Sequence, residues 1–299
     1  MQIKRVGVPV ASVWTDPDSV RPIDAPAVTA RPDIAGWLAQ MTRKQTIDLC
    51  DEKRLQTQVL FGDDVIVDDI RGNWAKVVVP SQASAKDTRG YPGWVPAVQL
   101  SSPNLGAGRE KVMVQSKQAL FKNENQLPVF SLSFGTFLDL IDVQGAAVRV
   151  DSPAGTGYVN TSDVIFPFRR PKDTGEEIVA NAMRFLDLPY LWSGMSAYGY
   201  DCSGFSYSML RAGGYLIPRD ADDQSVKGRE IPKAEMKPGD LLYFAYEQGK
   251  GYVHHVGIYA GDGKMVHSPT PGKKVSLTEL AGTIFEEELC TVRRYWKEN

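Results

Sequence analysis

Strand-like runs of apolar residues fill the first half of the chain. Residues 6–14 (VGVPVASVW) read as one strand, followed by a connection punctuated by Pro17, Pro22, Pro26 and Pro32. Asp33 then precedes Ile34, Trp37, Leu38 and Met41, whose spacing predicts a capped helix. Strand patterns return at 57–61, 65–67 and 73–79, with a turn at Gly62-Asp63-Asp64. A long polar loop, residues 80–92, delivers Gly93-Trp94-Val95, and Leu100 with the polar residues after it closes this region.

A shorter copy follows. Residues 112–121 and 129–132 are strand-like, and FGTFLDL (134–140) matches the turn and strand of LFGDDVIV (60–67). Ala147-Val148-Arg149-Val150 matches AKVVV (75–79), and Gly157-Tyr158-Val159 matches Gly93-Trp94-Val95. Three matched elements in one order predict an internal repeat of a small all-β unit.

Past Pro167 and Pro171 the period changes. Thr174 and Glu177 form a capping box ahead of Ile178, Val179, Ala182, Met183, Phe185 and Leu186, a helix that ends before Pro189. An aromatic, turn-rich stretch leads into Asp201-Cys202-Ser203-Gly204 and an apolar helix that stops at Gly213-Gly214. Strands then run from Asp240 to about His267, with a last strand at 290–296. Helices first and an antiparallel sheet afterwards is an α+β order.

Composition narrows the function classes. At 299 residues the chain has room for two or three domains, and 34 basic against 36 acidic residues give a net charge of −2. That balance lacks the basic footprint of a nucleic-acid binder. No apolar run approaches the roughly 20 residues that span a bilayer. Lys4-Arg5 precede an apolar run, but Pro9 interrupts it and no Ala-x-Ala follows, so an N-terminal strand is expected rather than a secretory leader. Cys50, Cys202 and Cys290 form no CxxC pair, and an odd number leaves a thiol unpaired, which suits a reducing, cytoplasmic setting.

Cys202 is the candidate for chemistry. With Asp201 as N-cap it falls in the first helical turn, where the dipole and unpaired N–H groups favour a thiolate. The three histidines, His254, His255 and His267, all lie downstream. VHHVGIYAG and KMVHSP flank the turn GDGK, so they predict a hairpin that brings one histidine from each strand to a shared face. Neighbours on a strand point opposite ways, so only one of the tandem pair is expected there. A Cys, a His and an orienting His make a nucleophile–base–orienter set. The same three residue types with a water would also make a catalytic zinc site.

YDCSGF, IPRDADDQ, KPGDLLYFAY and HHVGIYAGDGKMVHSP, taken in order, resemble the NlpC/P60 family of cell-wall cysteine peptidases over roughly the last 125 residues. The Gly-aromatic-Val repeats resemble bacterial SH3 barrels, and the whole arrangement resembles the branch that acts as γ-D-glutamyl-L-diamino acid endopeptidases. The resemblance implies two SH3-like barrels followed by a papain-like α+β domain. The expected boundaries are 1–105, with a helical insertion at about 33–50, then 106–168 and 169–299.

It further implies Cys202 as nucleophile, His255 as base, His267 as orienter and His254 as an off-face neighbour. Tyr190 is a candidate oxyanion donor. The implied substrate is a murein peptide with a free N-terminal L-Ala, cut after L-Ala-γ-D-Glu, with no cofactor, metal, nucleic acid or membrane partner. Asp220 is the first candidate for the carboxylate that meets the amine, with Asp201 second. Arg219 and Ser203 are candidates for the D-Glu carboxylate, and Trp192 for a pocket wall. Ala221 stands where many members have Ser or Thr. Tyr91, read as the tip of a long loop, is the candidate through which the first barrel narrows the amine end.

Overall fold

The computed structural model describes residues 2–102 and 110–298. The boundary expected at 105/106 lies outside the described residues. The chain separates into two compact units: Met1–Ser81 with Lys86–Pro171 and Met195–Tyr198, and Gln82–Ala85 with Lys172–Gly194 and Gly199–Asn299. No helix among the described residues is long and apolar enough to cross a membrane.

The first unit holds two seven-stranded sheets. One is built from β1 (Gln2–Val6), β2 (Val10–Trp14), β3 (Leu55–Leu60), β4 (Asp64–Arg71), β5 (Trp74–Val79), β6 (Tyr91–Pro96) and β7 (Leu100–Ser101), in the order β3-β2-β6-β5-β4-β1-β7. The other is built from β8 (Lys111–Val114), β9 (Gln118–Asn123), β10 (Pro128–Ser133), β11 (Phe137–Gln144), β12 (Ala147–Asp151), β13 (Gly157–Asn160) and β14 (Val164–Ile165). Its order, β10-β9-β13-β12-β11-β8-β14, repeats the first with every strand replaced by the one seven later. The internal repeat is therefore topological as well as sequential. Gly62 and Gly135, at equivalent corners, have φ of 81° and 80°, a conformation that only glycine adopts without strain.

The expected single strand at 6–14 is two strands. Its turn was hidden because Val8, at the corner, is itself buried, so the apolar run never breaks. Residues 112–121 likewise divide into β8 and β9. The helical insertion contains α1 (Ile34–Gln40) and α2 (Arg43–Asp51). Asp33 caps α1 by accepting from the Gly36 N–H at 2.8 Å. One apolar core gathers Val13, Val59 and Val77; the other gathers Phe121 and Val150 with Phe61, which comes from the corner between β3 and β4.

The second unit places α3 (Gly175–Met183) and α4 (Cys202–Ala212) with a six-stranded antiparallel sheet. The two-residue strands β15 (Met195–Ser196) and β16 (Gly199–Tyr200) precede α4 in the chain. The sheet is formed by β17 (Arg229–Glu230), β18 (Leu241–Ala245), β19 (Val253–Gly261), β20 (Lys264–His267), β21 (Ser276–Glu279) and β22 (Leu289–Arg294), ordered β17-β22-β18-β19-β20-β21. Short helices α5 (Ala221–Ser225) and α7 (Ile284–Glu288) fill connections, as does the single turn α6 (Tyr246–Gly249), in which Glu247 and Gln248 are left-handed with φ of 57°. Thr174 and Glu177 form the expected capping box on α3. The KPGD turn is structural: Asp240 is fully buried, takes Arg294 Nε and Nη2 at 2.6 and 2.7 Å, and also accepts from the Lys237 N–H.

Candidate active site

Asp201 caps α4, its Oδ1 accepting from the Gly204 N–H at 2.6 Å, so Cys202 is the first helical residue, as its position in the sequence suggests. Burial pushes the Cys202 thiol up to about 12, and the charge of Asp201 adds to that. The amides of Val256 and Ser203 and the Arg219 guanidinium pull the other way. A sulfur that feels the Val256 amide lies beside the residue that follows His255. Desolvation thus works against the thiolate that the helix terminus favours.

β19 and β20 pair through Ile258↔Val266 and Tyr259↔Met265, the hairpin expected around Gly261-Asp262-Gly263. His255 and His267 meet on it, with Nε2 of the first 2.7 Å from Nδ1 of the second. His267 Nε2 lies 3.0 Å from the Thr278 hydroxyl on β21. Burial holds His255 well below its ordinary value of 6.5, with the neighbouring His267 and His254 adding to the effect. Burial alone takes His267 down to about 4. Both rings are therefore neutral at pH 7.

His254 stays out of the His255–His267 pair, but simple strand alternation does not describe its place. β18 pairs Phe244 with His255 and Ala245 with Val253, so His254 is the extra residue of a β-bulge. The bulge suspends strict alternation and sets the two imidazoles 6.4 Å apart. His254 Nε2 lies 3.0 Å from Glu288 Oε2, and its ring stacks on Tyr246 at 4.0 Å.

Asp201, Ser203 and Arg219 form one network. Arg219 reaches Asp201 Oδ2 at 2.7 Å, Asp201 Oδ1 at 3.1 Å and the Ser203 hydroxyl at 2.8 Å. Arg219 is also tied through its N–H to the Ala83 carbonyl at 2.9 Å. Tyr190 is buried; its N–H donates to Lys273 O, and its backbone bridges to Tyr200. Trp192 is half-buried in the turn that follows. Asp220 stands at the N-cap of α5 without capping it, and its carboxylate lies within 4.8 Å of those of Asp222 and Asp223. Tyr252 donates to Asp222 and the Ala85 N–H to Asp223.

Tyr91 is not a loop tip. It opens β6 opposite Val79 and belongs to the core of the first sheet, with the Lys86 ammonium bonded to its hydroxyl and 4.2 Å over its ring. Sequence reasoning missed Thr278, Phe285 and Glu288. The polar-apolar alternation of Ser276-Leu277-Thr278 was the available signal for the first. Phe285, 5.5 Å from His255 and 5.2 Å from His267, lies on a five-residue helix that left no periodic trace.

A cysteine opening a capped helix, beside a strand pair that carries two bonded histidines, defines a thiol hydrolase of the papain-like type. The chain belongs to the NlpC/P60 family, whose description matches residues 187–294. The YKFC SH3b2 domain matches residues 114–166. Over 97% of its length the chain is 46% identical to the gamma-D-glutamyl-L-lysine dipeptidyl-peptidase of Bacillus subtilis, of which it covers 97%. It is 36% identical to the protein of the same name from Bacillus cereus, with 97% and 90% covered. The crystal structure of an NlpC/P60 family protein from Bacillus cereus matches with a TM-score of 0.93 at 35% identity, covering 98% of this chain and 99% of that one.

Proposed function

We propose that the protein is a cysteine peptidase of murein-peptide recycling. It hydrolyses the γ-D-glutamyl–L-diamino acid bond of peptides with a free N-terminal L-Ala and releases L-Ala-γ-D-Glu. The observation that carries this reading is the 2.7 Å contact between His255 and His267 on the hairpin beside Cys202. Two relatives aligned along nearly the whole chain are named for that activity. Three dispersed cysteines suit a reducing interior, and we place the enzyme in the cytoplasm.

In this reading neutral His255 accepts the Cys202 proton on Nδ1. Its Nε2–H then donates to His267 Nδ1, and the His267 Nε2–H donates to Thr278, so each ring uses one donor and one acceptor. The sulfur bonds to the γ-carbonyl carbon of D-Glu as the proton leaves it. The Cys202 N–H and the Tyr190 hydroxyl receive the oxyanion. Collapse breaks the C–N bond, and the departing amine takes the proton from His255. Water then gives a proton to His255 and attacks the thioester; the C–S bond breaks, and sulfur regains its proton.

Substrate ends are assigned by charge. Asp220 receives the free amine, with Asp201 as the second carboxylate near the nucleophile, and Trp192 forms a wall. Arg219 and Ser203 are the donors for the D-Glu carboxylate, the Ser203 hydroxyl turning to it from Asp201 Oδ1, where it lies at 3.3 Å.

The test is incubation with L-Ala-γ-D-Glu-L-Lys and with its N-acetylated form. Release of dipeptide from the free form alone, lost in Cys202→Ala and unaffected by a chelator, supports the reading. Cleavage of both forms, or binding without turnover, overturns it.

A further inference from the structure

We propose that α7 is a positioning element for the reaction: Phe285 and Glu288, one helical turn apart, hold the imidazoles of His255 and His254 across the β-bulge in β19. The inference rests on His255 being the base.

A bulge re-aims side chains, and nothing in the strand ladder itself fixes the extra residue. Here the extra residue is His254, because Phe244 pairs with His255 while Ala245 pairs with Val253. β22, on the other side of β18, breaks register at the same level: Tyr243 pairs with Thr291 and Phe244 with Leu289, leaving Cys290 over. The two ladders that flank Phe244 are thus both interrupted beside the base. What holds the bulge in place comes from outside the sheet. Glu288 Oε2 takes His254 Nε2 at 3.0 Å, and both side chains are largely buried. Tyr246, from α6, stacks on the same ring with an interplanar angle of 15°.

Three residues earlier on α7, Phe285 packs on the base and on two of the rings beside it. It lies 5.5 Å from His255, 5.2 Å and nearly edge-on from His267, and 5.0 Å from Phe244. Spacing of three puts Phe285 and Glu288 on one face of the helix. One short element therefore fixes both tandem histidines. The nucleophile, by contrast, is held by α4 and its Asp201 cap. Loosening α7 shifts the base against the sulfur without touching the groups assigned to the substrate's ends. That predicts a loss in kcat with little change in KM.

The experiment is steady-state kinetics on L-Ala-γ-D-Glu-L-Lys for the full chain carrying Glu288→Ala, His254→Ala, both together, Glu288→Gln, or His254→Gln, with thermal melts alongside. Misplacing a catalytic group by about 1 Å costs on the order of 10²-fold, so each alanine variant is expected to lose about tenfold or more in kcat with KM within about twofold. The double variant should fall no further than the worse single one, since both remove one contact. Glu288→Gln keeps an acceptor and His254→Gln keeps a donor; each should recover most of the loss. A folded Glu288→Ala with kcat near wild type overturns the inference, as does KM rising in step with the fall in kcat. If Glu288→Ala does not fold, a His254→Gln no better than His254→Ala overturns it. Turnover retained in His255→Gln would instead refute the base assignment, whatever the α7 variants do.

Discussion

Arg219 grips Asp201 with two nitrogens, at 2.7 and 3.1 Å, with both side chains almost wholly buried. The pair ties the N-cap of the nucleophile helix to the loop that begins α5. Arg219 also holds the Ser203 hydroxyl, so the residues on both sides of Cys202 depend on one guanidinium.

Removing one partner of such a pair leaves the other charge buried. Asp201→Ala is expected to cost about 3–5 kcal/mol for the stranded guanidinium, with about 1 kcal/mol more for the lost cap. The double variant Asp201→Ala/Arg219→Met should recover part of that. Urea unfolding measures it; a double variant less stable than the single would contradict the account.

Thr278 carries the histidine chain onward, its hydroxyl lying 3.0 Å from His267 Nε2 and 3.3 Å from the Ser276 hydroxyl. Thr278→Val keeps the shape but strands a buried His267 N–H, so a loss of roughly fivefold in kcat/KM is expected, with stability lower by about 1–3 kcal/mol. Unchanged kcat/KM would mean that the orientation of His267 is set elsewhere.

The buried histidines make stability depend on pH. Their folded values lie below 6.5, so the unfolded chain binds more protons and stability falls as pH drops from about 6.5 towards 4. For His267, a fall from 6.5 to about 4 at roughly 1.4 kcal/mol per unit is on the order of 3 kcal/mol. Urea midpoints at pH 7 and pH 5 should differ clearly, and by less in His267→Gln. Equal midpoints in the wild type would refute the neutral, buried state of these rings. The base also stays neutral below pH 6.5, so the acid limb of kcat/KM should lie beneath the ordinary histidine range.

Gly239 meets helix α3 where no side chain fits. Its φ is +91°, and a Cβ there would stand 2.4 Å from Gly175 Cα. Gly239→Ala should destabilise by at least the roughly 1–2 kcal/mol of the left-handed conformation alone. A melting temperature equal to wild type would show that α3 moves aside freely.

What the chain's pattern disclosed, and what it hid, follows from range. Capping boxes and the Cys202 helix were legible because Thr174, Glu177 and Asp201 act within three residues of what they cap. The repeat was legible because Gly62 and Gly135 punctuate equal corners. The bulge at His254 was not, since it arises from strand pairing and breaks the alternation that the apolar pattern implies. The environment of the thiol was also hidden: Cys202 sits at a helix start that favours charge, but burial, a property of the whole fold, opposes it. The strand at Tyr91 was hidden because the polar loop before it gives no sign that β6 starts at the tyrosine.

The central claim is a covalent one: the sulfur of Cys202 carries the L-Ala-γ-D-Glu acyl group between the two half-reactions. Acid quenching of the enzyme during turnover of L-Ala-γ-D-Glu-L-Lys, followed by intact-mass and peptide mapping, tests it directly. The account predicts a thioester adduct of that dipeptide on Cys202, absent from Cys202→Ala, which turns over no substrate. Turnover by Cys202→Ala, or an adduct on another residue, would contradict it.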